Sequence, residues 1–185
     1  MLIGGASVRM GQPKHLLALH GRTFLERVAT AVGTVVREVA LLGDGELPVA
    51  LPVLPRIPDV PGMEGPLAGI LAAMRWAPDC AWLVAACDLP RVTPAAAEWL
   101  VSQRAPGRWA VVPRGPSGLE PLFALYEPQA RRVLEEIASR GLRAPRLLAE
   151  HPRAWVAAPP AELLSCWDNV NTADDLTALG SDLSP

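Results

Sequence analysis

Cysteine is scarce in this chain. Cys80, Cys87 and Cys166 are all it has, an odd number at irregular spacing, which excludes a disulfide framework and a zinc-ligand repeat. A reducing, cytoplasmic setting is the expectation that follows. Positive charge is not in excess either. With 17 Lys and Arg against 19 Asp and Glu the net charge is −2, so broad capture of nucleic acid is not expected. No block of like charges forms a tail. No apolar run reaches the ~18 residues of a membrane span. No basic segment followed by an apolar stretch marks a signal peptide.

What the chain does have is apolar content: half of its 185 residues are hydrophobic, enough to fill a core and too much for a disordered polymer. No repeat or linker divides it, so residues 1–185 are read as one domain. Short apolar runs alternate with helical patterns. Met1-Leu2-Ile3, residues 39–42, 82–86, 109–112, 122–126 and 155–158 read as strands. Phe24, Leu25, Val28, Ala29, Val32, Val35 and Val36 keep helical spacing. Further helices are expected after Gly65-Pro66, after Thr93-Pro94 with Thr93 as N-cap, over 128–139 and over 174–179. The alternation predicts an α/β fold, Rossmann-like and three-layered, with a mainly parallel central sheet. Ligands of such sheets bind at the carboxyl ends of strands.

Two places at strand ends carry chemistry. Gly4, Gly5 and Gly11 follow the first strand, with Arg9 and Lys14 among them. Glycines let backbone N–H groups approach a phosphate, and the two cations supply charge to its oxygens. The spacing is neither that of a Walker loop nor of a dinucleotide fingerprint. An ordinary turn with two surface cations is the plainer alternative. Asp88 directly follows the run 82–86, where a carboxylate could hold Mg²⁺ together with substrate phosphates, or simply cap a turn. Asp59, in a proline-rich loop, is a second candidate. The histidines His15, His20 and His151 are scattered and read as structural or surface groups. Trp76, Trp82, Trp99, Trp109 and Trp155 lie in apolar segments and are expected in the core. Trp167 is the one tryptophan that could border a ligand pocket.

Five segments together resemble one family over nearly the whole chain. They are LIGGxSxRMGxxK (2–14), Asp59 with GPLAGI (65–70), CDLP (87–90), EPLFALY (120–126) and NVNT (169–172). Their order and spacing are similar to the molybdenum cofactor guanylyltransferases, the molybdopterin-guanine dinucleotide biosynthesis protein A family. The resemblance implies a nucleotidyltransferase fold and the transfer of GMP from GTP to molybdenum-molybdopterin, with pyrophosphate released. It implies that Leu2, Ile3, Gly4, Gly5, Lys14, Asp59 and Gly69 line the GTP site. Arg9, Lys14 and Asp88 are the implied catalytic residues, Asp88 also the Mg²⁺ ligand, and Asn171 is placed toward the molybdopterin. Gly43-Asp44-Gly45 stands where relatives often carry an asparagine near the nucleotide, which leaves the base contact open. Glu120 is given no catalytic role. The short first strand leaves room for a native start upstream of Met1. Partners expected from the resemblance are other cofactor-biosynthesis proteins and molybdoenzymes. A cytidylyltransferase, a transferase on another phosphorylated metabolite, and a non-catalytic nucleotide-binding module are the competing readings.

Overall fold

The computed structural model describes residues 1–3, 13–48 and 54–182. A 3-10 turn over Lys14–Leu16 leads to a small antiparallel pair, β1 (Ala18–Leu19) and β2 (Arg22–Thr23). Then follow α1 (Phe24–Gly33), β3 (Leu41–Leu42), β4 (Arg56–Ile57), α2 (Pro66–Trp76), β5 (Trp82–Ala85) and α3 (Pro94–Ser102). Next are β6 (Ala110–Gly115), β7 (Gly118–Leu119), β8 (Phe123–Tyr126), α4 (Ala130–Ser139), β9 (Ala154–Ala157) and α5 (Ala173–Asp182).

Local chemistry sets the helix starts. Thr23 and Glu26 form a reciprocal capping box on α1, which satisfies two otherwise orphaned backbone donors. Thr93 Oγ1 accepts from the Ala96 N–H at 3.2 Å and Pro94 opens α3, as the sequence predicts. Pro66 opens α2 in the same way.

The sheet grows outward from residues 1–3. Leu2 bridges Leu42 on one side and Ala86 on the other, both parallel. β4 pairs parallel with β3, and β9 parallel with β6. β8 lies between β5 and β6 and runs against both. Apart from β8 and the short β7, the strands of this sheet therefore share one direction. Successive side chains of each strand point to opposite faces, and both faces are apolar and covered. Ile3, Leu41, Ala85, Val111, Phe123 and Leu125 pack with α1 and α3. Leu2, Leu42, Val84, Ala110, Val112, Ala124 and Tyr126 pack with α2 and α4. A sheet covered on both faces needs such continuous apolar runs.

Two tryptophans depart from expectation. Trp76 is 54% exposed and Trp155 44% exposed. Trp76 is the last residue of α2. Trp155 lies on β9, whose one strand partner among the described residues is β6, and the Arg108 guanidinium covers its ring at 4.2 Å. Trp167 is instead fully buried, its ring against Phe123 and Trp99 and its Nε1–H donating to the Phe123 carbonyl at 3.1 Å.

Candidate active site

The chain leaves residues 1–3 through α1 to reach β3 on one side. It returns from β4 through α2 to β5 on the other side. Residues 1–3 and β5 are neighbours with their crossovers on opposite faces, and the carboxyl ends at such a switch point are where α/β sheets bind ligands. Leu2 N donates to Ala85 O at 2.9 Å, and Cys87 N to Leu2 O at 3.2 Å. These bonds carry the pairing up to Asp88.

Three of the expected residues meet there. Lys14 Nζ lies 3.2 Å from Asp88 Oδ2 and donates to Asn171 Oδ1 at 2.6 Å. The Lys14 and Asp88 side chains are 19% and 22% exposed, so the pair is held yet open to a ligand. Lys14 is also the chain's single lysine. The NVNT segment is tied to the same point by the Val170 N–H, which donates to the Asp88 carbonyl at 3.0 Å. Asp175 accepts from the Asn171 and Thr172 N–H groups at 2.9 Å each. Those backbone bonds, the one from Asn171 first, hold its carboxyl below the usual range. α5 thus starts where it fixes Asn171.

Asp59 and Gly69 form a second group on the α2 side. A Cβ on Gly69 would stand 2.7 Å from Leu2 Cδ2 and 3.1 Å from Asp59 Oδ1. Only glycine lets the first turn of α2 approach Leu2 and Asp59 so closely. Partial burial, and then Asp44, raise the Asp59 carboxyl above its ordinary value. Ile3 sits beside Gly45, its carbonyl 3.7 Å from where a Gly45 Cβ would be. The remaining residues expected here, Gly4, Gly5 and Arg9, lie outside the described residues.

One carboxylate and one thiol near Asp88 also have shifted titrations. Glu120 precedes β8 and is half-buried beside Gly115 and Trp167. Its carboxyl is raised to about 7, by burial first and then by the charges of Asp168 and Asp88. Only its place at the head of EPLFALY could have drawn attention to it. Cys87 is buried, and its thiol is pushed up to about 12 by burial and then by Asp88. A thiol held neutral in this way is no nucleophile.

Among the described residues no group of three or more His, Cys, Asp or Glu gathers as a metal cage. Mg²⁺ does not need one, since it binds through one or two carboxylates plus substrate phosphates. Asp88, with hard oxygen donors and close enough to Glu120 for its charge to act there, fits that donor set. No helix among the described residues is long and apolar enough to cross a membrane.

A "Probable molybdenum cofactor guanylyltransferase" of Bacillus cereus (strain G9842) is 31% identical over 199 aligned positions, covering 100% of this chain and 96% of the relative. Another of the same description from Pelotomaculum thermopropionicum is 39% identical over 139 residues, 74% of this chain and 66% of the relative. The crystal structure of molybdopterin-guanine dinucleotide biosynthesis protein A from Archaeoglobus fulgidus superposes with a TM-score of 0.77 at 27% identity. That superposition covers 98% of this chain and 95% of that one. A 2-C-methyl-D-erythritol 4-phosphate cytidylyltransferase from Thermus thermophilus shares the fold, with a TM-score of 0.68 at 19% identity over 97% and 96% of the two chains. Residues 1–154 match the family model described as the MobA-like NTP transferase domain. The chain is a nucleotidyltransferase and belongs to the MobA-like NTP transferase family.

Proposed function

We propose that the chain transfers GMP from GTP to molybdenum-molybdopterin, giving the guanine dinucleotide cofactor and pyrophosphate. The observation that carries this reading is the meeting of Lys14, Asp88 and Asn171 at the carboxyl ends of residues 1–3 and β5. One cation, one carboxylate and one amide suit a polyphosphate and its counter-ion better than a carbonyl or a sugar. The names of the relatives supply the nucleotide and the acceptor.

A terminal phosphate oxygen of the pterin attacks the α-phosphorus of GTP. A P–O bond forms there, and the bond to the bridging oxygen breaks, so pyrophosphate leaves with its electron pair. The nucleophile is already anionic, so no strong base is required, and a Ser–His–Asp set is not needed. Charge repulsion and alignment make the barrier, and fixed positive charge lowers it. Lys14 donates to phosphate oxygens and trades its contact with Asp88 for them. Asn171 holds the ammonium in place and faces the acceptor. Leu2, Ile3, Asp59 and Gly69 border the nucleotide, joined by Gly4, Gly5 and Arg9 of the glycine loop. Asp88 would hold Mg²⁺, which would neutralise part of the triphosphate charge.

The test uses GTP labelled in its α-phosphate, with Mg²⁺ and molybdenum-molybdopterin. Label should pass to the pterin with wild type and not with Asp88→Ala, while the variant keeps its circular dichroism spectrum. Equal transfer by both proteins, or no transfer by wild type, contradicts the reading.

A further inference from the structure

Residues 43–46 leave the carboxyl end of β3 beside Ile3, and their backbone is held from two sides. His15 Nε2 lies 2.7 Å from the Glu46 carbonyl. A carbonyl only accepts, so Nε2 carries the proton. The His15 side is 4% exposed and packs on Gly45, where a Cβ would stand 3.0 Å from Cε1 and 3.3 Å from Nε2. From the other side Arg56 of β4 donates through Nη2 to the Gly45 carbonyl. Two consecutive carbonyls are thus fixed by one residue from before β3 and one from after it. The same loop carries Asp44, whose charge reaches Asp59.

The phosphate end of the site lies at Lys14 and Asp88, on the β5 side of residues 1–3. A nucleotide anchored there and lying across the carboxyl end of residues 1–3 turns its nucleoside end toward β3. We infer that His15 and Arg56 are positioning residues for the nucleobase, acting by holding the 43–46 loop against it. The inference rests on the proposed nucleotide site. It also gives His15 a reason to stand next to Lys14: one 3-10 turn sets the phosphate cation and the base loop together. Asp44 and Asp59 supply carboxylate acceptors on this side, which complement the N1–H and 2-amino donors of guanine.

Equilibrium binding separates the two ends of the site without needing the acceptor. Calorimetry with Mg²⁺ would compare GTP with inorganic tripolyphosphate, which has the phosphates and no base. His15→Ala and Arg56→Ala should each weaken GTP by about five- to tenfold, the worth of one lost hydrogen bond, and leave tripolyphosphate unchanged. His15→Gln, which restores an N–H donor, should recover most of the GTP affinity. Arg56 is exposed, so its variant reads the loop without challenging the core. Equal weakening of both ligands, or of neither, overturns the inference. So does a wild type that binds GTP no better than tripolyphosphate. Failure of guanylyl transfer with these binding differences intact would count against the proposed reaction alone.

Discussion

Lys14 and Asp88 stand 74 residues apart in the chain, yet Nζ and Oδ2 lie 3.2 Å from each other. The pairing joins the lysine that follows the glycine-rich segment of the sequence to the aspartate three residues past β5. Neither side chain is fully buried, so the pair is worth little to stability. Its geometry matters for what displaces it. Lys14→Ala should lower kcat by about 10²–10³-fold, the usual cost of one preorganised donor to a transferring group. Steady-state rates at saturating GTP check this, and a melting temperature near that of wild type would show that the loss is chemical. Asn171→Ala should cost less, about tenfold, because it removes the partner of Lys14 and not the charge.

Because Lys14 holds the only side-chain amine, it can be read chemically. Pyridoxal phosphate followed by borohydride should label this one lysine, and GTP with Mg²⁺ should protect it. Peptide mass mapping gives the result. Labelling that GTP leaves untouched would remove Lys14 from the nucleotide site.

Gly69→Ala tests the contact between α2 and residues 1–3. The new Cβ would meet Leu2 Cδ2 at 2.7 Å. Overpacking of this kind costs about 1–3 kcal/mol, visible as a lower midpoint in urea. The GTP affinity should fall with it, since Leu2 and Asp59 must both move.

Glu120 makes stability depend on pH. Its folded carboxyl is raised from 4.5 to about 7, so the native state holds a proton that the unfolded chain gives up. The contribution is fully present below pH 4.5 and is lost as pH rises through about 7. Glu120→Gln keeps the neutral shape at every pH. Its melting temperature should match wild type at the acid end and exceed it above pH 7. A difference that stays constant with pH would contradict the assigned cause.

Thiol reactivity follows from burial. Cys80 is exposed, while Cys87 and Cys166 are buried, and the Cys87 thiol is pushed up to about 12. One fast thiol is expected in the native protein and three after denaturation. Cys80→Ser should abolish the fast phase and leave turnover intact.

Much of this was legible in the residues themselves. Asp88 could be read because a continuous apolar run ends just before it, and strand ends are where α/β sheets bind ligands. Thr93 and Pro66 declared helix starts through their own chemistry. The place of β8 was not legible. Phe123-Ala124-Leu125-Tyr126 says that both faces are covered, but apolar character carries no direction, so the antiparallel insertion between β5 and β6 stayed hidden. The strands β1, β2, β4 and β7 span two residues each, too short for any period to show. Trp155 misled because its neighbours are apolar, while exposure at a sheet edge is decided by which strands pair, a property of the whole sheet. Glu120 and His15 escaped for a related reason: their surroundings come from Asp168 and Glu46, distant in sequence.

Guanylyl transfer is proposed where Lys14, Asp88 and Asn171 meet. Pyrophosphate release, measured with Mg²⁺ and molybdenum-molybdopterin and with GTP, CTP, ATP or UTP in turn, tests it most directly. Release is expected with GTP, little with the other three, and release with GTP about 10²–10³-fold slower when Lys14 is alanine. Release with CTP alone, or undiminished release by the Lys14→Ala protein, would contradict it.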